Sequence, residues 1–243
     1  MPIPAYEETV ELFDLDILRQ RGDLAIENGD LAVHDGDLKL SSDRYNAMYR
    51  LAQRWRFHAG ALGTLCQFVF DAPTRRQQRQ AEMEAVMQPQ ERHPLAFTAN
   101  PDRLRRYHEI NDAMDADAVG MDAYAGTVMV VMGAMLRRYW RDVKGSKADW
   151  EGAGPLFADH SFTAVVEAAA NNFRHYDEWR RTNPPTVQQE KSQRILRSVL
   201  SLGSHPAPSL GRNVCADVAV ILARGGGFLG LSKGLFASAK AMG

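Results

Sequence analysis

The 243-residue chain has only two cysteines and no apolar run long enough to cross a bilayer. Cys66 and Cys215 both lie among apolar residues, where a free thiol acts as a small hydrophobic group. They give neither a disulfide framework nor the spacing of a metal site. The longest apolar run, residues 123–136, has 14 residues, whereas a membrane helix needs about 20. These absences predict a cytoplasmic protein with a buried central helix, no membrane span, no metal and no cofactor.

Motifs of several enzyme classes are also missing. The chain has no HExxH zinc motif and no nucleophile elbow. The glycine-rich stretch RGGGFLG, residues 224–230, follows a predicted helix and lacks the Lys-Ser/Thr pair that closes a phosphate-binding loop. We expect it to interrupt a helix so that the amphipathic tail folds back onto the protein, with binding to a membrane surface as the alternative.

The net charge of −1 conceals a separation of charge along the chain. Residues 1–43 contain eleven acidic and three basic residues, and residues 44–108 contain eleven arginines against five acidic residues. Such polarity favours partners of opposite charge: nucleic acid or an acidic protein segment for the arginine-rich region, and a basic protein surface for residues 1–43.

A seven-residue repeat of Gly-Asp-Leu begins at positions 22, 29 and 36. Asn28-Gly29 and Asp35-Gly36 are dipeptides typical of two-residue hairpin turns, because both central residues adopt positive φ. The repeat therefore predicts a three-stranded antiparallel meander that lies on another part of the protein. Its apolar face would consist of Leu24, Ile26, Leu31, Val33, Leu38 and Leu40.

From Ser42 onward the apolar spacing is helical. Helix starts are indicated by a Thr74/Gln77 capping box, by Asn100 before Pro101, by Ser161 and by a Thr186/Gln189 capping box whose helix would end at Gly203. An apolar helix is predicted separately over residues 123–143. The fold class is therefore mainly α, a helical bundle with a small N-terminal antiparallel β-meander. We divide it into an acidic segment (1–43), an arginine-rich helical region (44–119) and a helical bundle (120–243).

Arginines occupy the first turns of two predicted helices, where they oppose the helix dipole. We expect these charges to face the acidic segment of the same or a neighbouring chain, or a nucleic-acid backbone. A solvated surface is the alternative. The candidate nucleic-acid-binding residues are Arg75, Arg76, Arg79, Arg103, Arg105 and Arg106.

The stretch AAANNFRHYDEWRR, residues 168–181, combines an apolar and a polar face on one predicted helix. At about 100° per residue, the polar residues fall almost opposite the core stripe. The core stripe consists of Phe162, Val165, Val166, Ala169, Phe173 and Tyr176. The polar face consists of Glu167, Asn171, Arg174, His175 and Glu178.

The segment ANNFRHYDEW resembles the ANYFKHxDEW pattern of bacterial proteins in the HEPN (higher eukaryotes and prokaryotes nucleotide-binding) superfamily. The resemblance covers about residues 120–205. Catalytic members carry an arginine, a polar residue, three further residues and a histidine. Asn171 and His175 match the polar residue and the histidine, whereas Ala170 stands in the position of the arginine.

The resemblance implies a helical-bundle homodimer that binds RNA or cleaves it without a metal, in the toxin or phage-defence class. His175 would be the acid or base and Asn171 would orient or bind phosphate. Arg174 would stabilise developing charge, and Glu178 would fix the histidine tautomer or pair across the dimer. Because Ala170 replaces the arginine, a protein that only binds RNA and an endoribonuclease both stay open.

The alternative hypothesis is a non-enzymatic interaction or assembly protein. In this interpretation the acidic meander of one subunit docks onto the basic helices of the next, giving a dimer or a higher homo-oligomer. The same segment, residues 1–43, could instead bind a different protein partner.

Overall fold

The computed structural model describes residues 3–19, 24–39, 42–87, 100–179, 181, 184–202 and 210–242. It confirms the predicted fold class: helices dominate, and short antiparallel strand pairs lie near the N-terminus. The helices are α1 (Tyr6–Leu12), α2 (Asp43–Phe70), α3 (Ala72–Met87), α4 (Pro101–Asp142), α5 (Lys147–Gly152), α6 (Phe162–Trp179), α7 (Val187–Val199), α8 (Cys215–Ala223) and α9 (Gly227–Ala241), with a 3₁₀ turn at Asp16–Leu18. The strands are β1 (Ile26–Glu27), β2 (Asp30–Leu31), β3 (Val33–His34), β4 (Asp37–Leu38), β5 (Leu156–Phe157) and β6 (His160–Ser161).

The central helix α4 is longer than predicted. The helix expected after Asn100 and the apolar helix expected over residues 123–143 are one continuous helix of 42 residues. Asn100 caps it as predicted, since its Oδ1 accepts hydrogen bonds from the backbone N–H groups of Asp102 and Arg103. α4 packs along α2 and α6. It also crosses the boundary drawn from sequence between 44–119 and 120–243.

The apolar part of α4 lies in the core. Its buried residues include Ala125, Val128, Met129, Met132 and Leu136. Within the described residues, α4 is the one helix long and apolar enough to cross a membrane, and 44% of its most apolar window is buried. Buried helices of globular domains share this length and composition, so the absence of a membrane span stays a prediction.

Two of the other predicted helix starts are confirmed and one is wrong. Thr186 and Gln189 form the capping box of α7, and the Ser161 hydroxyl accepts a hydrogen bond from the Ala164 N–H at the start of α6. The Thr74 start is wrong because α3 already begins at Ala72. Pro73 fixes φ for the first helical turn, so the chain enters α3 two residues earlier. Gly203, the predicted end of the α7 helix, lies outside the described residues.

The N-terminal strands form two hairpins instead of one meander. β1 pairs with β2 and β3 pairs with β4, across the predicted turns at Asn28-Gly29 and Asp35-Gly36. Leu40 lies outside the described residues. We name residues 24–39 the hairpin unit.

A ring of backbone hydrogen bonds explains the difference from a meander. Ala32 N–H donates to the Ala25 carbonyl, Lys39 N–H donates to the Ala32 carbonyl, and Ala25 N–H donates to the Lys39 carbonyl, at 2.9, 2.7 and 2.8 Å. These three residues occupy the same place in the seven-residue repeat. As in a meander, residues 30–34 bond to both neighbours, because β2 pairs with β1 and β3 pairs with β4. The difference is the bond from Ala25 to Lys39, which joins the two outer strands to each other.

The C-terminal segment folds back as predicted. Arg224 and Gly225 adopt positive φ after α8, and α9 leaves at an angle of 77° to pack against α2 and α8. Gly230 lies so close to the Ala223 carbonyl that a Cβ there would meet the oxygen at 2.0 Å. On α2, the Trp55 indole donates to the buried Ser232 hydroxyl of α9 at 3.0 Å. The glycine-rich stretch is thus a corner between two packed helices.

Candidate functional site

The predicted polar face of α6 is divided among several environments. The Asn171 carboxamide donates to the Ser192 hydroxyl of α7 at 3.3 Å. Glu167 accepts hydrogen bonds from Arg137 of α4 and from the Trp150 indole, both at 2.8 Å. These two residues therefore join α6 to its neighbours and do not form one open surface with the rest of the face.

The C-terminal end of α6 carries the remaining predicted site residues on exposed surface. His175 Nδ1 lies 3.2 Å from Glu178 Oε2, and both side chains are about half exposed. Arg174 is exposed as well. Ala170, in the position where the superfamily pattern has arginine, is only 3% exposed. The structure brings His175 and Glu178 together, turns Asn171 toward α7, and places Ala170 in the core.

The predicted core stripe of α6 is confirmed at its N-terminal end and wrong at its C-terminal end. Phe162, Val165, Val166 and Ala169 are buried, whereas Tyr176 is 36% exposed. Trp179, one turn further on, is only 3% exposed, so the covered side of α6 continues to its end through Asn172 and Trp179 and leaves Tyr176 at its edge.

Sequence reasoning missed Asn172, a fully buried residue. Its Nδ2 donates to the carbonyl oxygens of Leu210 and Arg212, and its Oδ1 accepts from the Val214 N–H at 3.0 Å. These bonds fix the segment that enters α8. Its burial was predictable from the sequence, because Asn172 lies seven residues after Val165 and therefore on the core stripe of the helix. A polar residue there needs hydrogen-bond partners inside the protein.

Five of the six candidate nucleic-acid-binding arginines donate to groups of the chain itself. Among the described residues these acceptors come from α2, α3 and α4, so the expected contact with the acidic segment of the same chain is not formed there, and contact with a neighbouring chain or a nucleic acid stays a prediction. Arg76 is exposed beside Met114 and Met121. The contacts are Arg75 with Asp117 and the Phe68 carbonyl, Arg79 with Asp117, Arg103 with the Val86 carbonyl, Arg105 with Asp102, and Arg106 with Glu82 and Glu109.

Asp117 links the start of α3 to the middle of α4. Its Oδ2 accepts from Arg79 Nε at 2.9 Å, and Arg75 Nε lies 3.4 Å from its Oδ1. The hydrogen bond from Arg79 and the charge of Arg75 lower the pKa of the Asp117 carboxyl. These arginines stabilise the α3–α4 pair.

The acidic hairpin unit is bound to the helical bundle through arginines. Arg50 of α2 is only 5% exposed; its Nη1 donates to Asp35 Oδ2 at 3.2 Å and its Nη2 donates to the His34 carbonyl oxygen. Asp37 lies 3.5 Å from the same guanidinium, and Arg138 of α4 also contacts Asp35. The acidic segment and the arginine-rich region thus bind each other within one chain.

Asp142 extends this contact into an ion-pair cluster. Arg54 Nη1 and Arg138 Nε lie 3.7 Å from its two carboxylate oxygens, and His34 Nε2 lies 3.8 Å from Oδ1. Potential ligand atoms of His34, Asp35 and Asp142 lie within 4.8 Å of one another. Guanidinium groups already balance both carboxylates, so this geometry serves as a link between the hairpin unit, α2 and α4.

The apolar side chains of the hairpin unit are exposed, contrary to the expectation that they lie on another part of the protein. Ile26 is 71% exposed and Val33 is 63% exposed. The register places Ile26 opposite Leu31 and Val33 opposite Leu38, so each hairpin presents one aliphatic pair. We name the exposed set the hairpin patch: Leu24, Ile26, Leu31, Val33 and Leu38.

Both cysteines are buried free thiols of low reactivity. Burial raises the pKa of the Cys66 thiol to about 12. Burial, together with the charge of Asp122, also raises the pKa of Cys215, whose Sγ donates to the Ala169 carbonyl. A raised pKa keeps the thiol protonated at neutral pH, so neither residue is suited to act as a nucleophile.

Comparisons of the chain with protein-family models, with curated proteins and with solved structures find no match.

Proposed function

We propose that this protein is a non-enzymatic assembly protein that associates with a second copy of itself through the hairpin patch. The observation that carries this proposal is the exposure of five large aliphatic side chains within sixteen residues. Exposed apolar residues in such density are typical of interaction surfaces. The patch belongs to a unit that Arg50 and Arg138 attach firmly to α2 and α4.

A second copy fits this patch better than a charged partner. The acids Asp35 and Asp37 bind Arg50, and Glu27 binds Lys39 at 2.9 Å. Little charge is left for docking, and the net charge of −1 produces little repulsion between copies. An apolar patch is complementary to itself in a two-fold interface. The driving force is therefore burial of aliphatic surface, and not the pairing of acidic segment with basic helices.

The test is the mass of the particle in solution. Ile26→Asp/Val33→Asp places charges in the interface, and we expect it to convert the oligomer to a monomer by light scattering across a wide range of protein concentration. Val119→Asp is the matched control, because Val119 is also 71% exposed but lies on α4. Raising the salt concentration should leave the oligomer intact. A monomeric wild-type protein, or an oligomer that dissociates in salt, contradicts the proposal.

The RNA hypothesis from the superfamily resemblance stays a second proposal. It is supported by the His175–Glu178 pair at 3.2 Å and by the exposed Arg174 beside it. A histidine with a carboxylate partner is suited to proton transfer. If the protein cleaves RNA there, His175→Ala abolishes cleavage of single-stranded RNA and leaves the free energy of unfolding unchanged. RNA left intact by the wild-type protein would remove the enzymatic form of this proposal.

A further inference from the structure

An open groove of about 680 Å³ lies between the hairpin unit and the exposed side of α2. Leu24 and Leu38, which belong to the hairpin patch, form one wall. Phe57 of α2 lines the other side and is 63% exposed. The groove is therefore continuous with the hairpin patch, and a partner that covers the patch also reaches the groove.

The groove contains hydrogen-bond donors that lack acceptors. Arg50 Nε and Arg54 Nη1 are buried and bond to no group among the described residues. Arg50 donates from its two terminal nitrogens to Asp35 and to the His34 carbonyl oxygen. Arg54 Nη1 lies 3.7 Å from Asp142, which is too far for a hydrogen bond. Because buried polar groups normally have partners, we expect an occupant of this groove to carry an acceptor oxygen as well as aliphatic side chains.

The β1–β2 hairpin, residues 26–31, carries both of these features. All six of its residues are exposed, whereas Arg50 holds the other hairpin against α2. Ile26 and Leu31 pair across its strands and form an aliphatic tip. Beside them, Asp30 Oδ1 accepts from the Leu31 N–H at 2.7 Å, and the carboxylate forms no ion pair with any described residue. The chain therefore presents a projection whose chemistry matches its own groove.

We propose that the β1–β2 hairpin of a second copy inserts into this groove and brings its Asp30 carboxylate to the guanidinium groups of Arg50 and Arg54. This contact rests on the proposed self-association and specifies the surfaces that meet. Each copy supplies one hairpin and one groove, so a two-fold axis closes the dimer with two identical contacts. Burial of the aliphatic tip stabilises the dimer, and the charged hydrogen bond fixes its register.

Cross-linking between two variants, each with one added cysteine, tests which surfaces meet. Leu31→Cys places a thiol on the hairpin, and Gln53→Cys places one in the groove on α2. The native thiols of Cys66 and Cys215 are buried and stay protonated at neutral pH, so they are a quiet background for a short bis-maleimide. We expect covalent dimer in an equimolar mixture of the two variants, and much less in either variant alone.

The possible results separate this contact from self-association as such. Covalent dimer that forms in Leu31→Cys alone as readily as in the mixture means that two hairpin patches meet face to face. That result overturns the insertion and leaves self-association standing. A mixture without covalent dimer, under conditions where light scattering shows an oligomer, overturns the insertion as well. A wild-type protein that is monomeric removes the proposed function together with this contact.

Phe57→Ala tests the α2 side of the groove, because Phe57 lies outside the hairpin patch. We expect it to raise the dissociation constant of the dimer by about tenfold or more, since the inserted tip loses aromatic surface to pack against. Val187→Ala is the control, because Val187 is an apolar side chain of α7 that is 84% exposed. Sedimentation equilibrium measures both constants. Equal constants for Phe57→Ala and the wild-type protein contradict the insertion.

Asp30→Asn tests the carboxylate with almost no change of shape. An asparagine can keep the bond to the Leu31 N–H but replaces the second oxygen with an NH₂ group, which cannot accept from a guanidinium. We expect a dissociation constant about tenfold higher than that of the wild-type protein. Asp115→Asn removes an exposed carboxylate of α4 and should have no effect. The same constant in Asp30→Asn and Asp115→Asn overturns the role of Asp30.

Discussion

Asn171 and Asn172 are adjacent and chemically identical, yet the fold uses them differently. Asn171 makes one bond to Ser192 at the edge of the α6–α7 contact, whereas Asn172 makes three bonds in the core. The helical spacing of α6 was enough to predict which of them faces inward. It could not predict the acceptors, because Leu210 and Arg212 lie about 40 residues away in the chain.

These two asparagines provide a matched stability test. Asn172→Ala leaves two carbonyl oxygens and one N–H without partners in the interior, so it should lower the free energy of unfolding by about 2–3 kcal/mol. Asn171→Ala should lower it by less than about 1 kcal/mol. Urea unfolding monitored by circular dichroism measures both. Equal losses would mean that the bonds of Asn172 contribute no more than the single bond of Asn171.

At the scale of elements, helix ends were the most predictable feature. Asn100, Ser161 and Thr186 predict the starts of their helices, because an N-cap side chain bonds to backbone N–H groups only two or three residues away. The continuity of α4 was not predictable from apolar spacing, because residues 111–120 carry many charged and small side chains. Alanine there favours helix without needing burial. The packing of helices distant in sequence, such as α4 against α6, could not be predicted from the sequence either.

The close approach of α4 and α6 depends on a glycine. A Cβ at Gly126 would meet the Phe173 ring at 2.0 Å, whereas a Cβ at Gly133 would make an ordinary contact with Val166 at 3.5 Å. We expect Gly126→Ala to destabilise the protein by about 1–3 kcal/mol through overpacking. Gly133→Ala should be neutral or stabilising by up to about 1 kcal/mol, since alanine is the better helix former. Thermal unfolding of the two variants checks this difference in sign.

For the whole molecule, the sequence predicted a separation of charge but not its use. The arginines were expected to face the acidic segment of the same or a neighbouring chain, or a nucleic acid. In the structure Asp35, Asp37 and Arg50 meet within one chain, 13 to 15 positions apart. Composition gives the sign of each region, whereas the packing of the hairpin unit on α2 and α4 decides which charged groups meet. The exposure of the hairpin patch was also not predictable, because the alternation of apolar and polar residues is the same in a covered and in an exposed sheet.

The attachment of the hairpin unit to the bundle can be tested at Arg50. Arg50→Met removes the donor to Asp35, Asp37 and the His34 carbonyl, and because both carboxylates are exposed to solvent, the free energy that opens the hairpin unit should fall by about 1–2 kcal/mol. Hydrogen exchange at the amides of Ala25 and Ala32 measures this opening. Arg54→Met is the control on the same helix, because Arg54 is more exposed and its ion pair is longer, at 3.7 Å. Similar exchange in both variants would show that Arg50 is not the main attachment.

The hydrogen-bonded ring of Ala25, Ala32 and Lys39 sets a limit on how this segment can evolve. Repeats that stack can grow by duplication, because every added copy finds a free end to join. In the closed ring of three repeats every one of these backbone groups is already bonded, so a fourth seven-residue copy would have to displace an existing one. Lineages that carry this segment should therefore vary its turns and its aliphatic tips while keeping the number of copies at three.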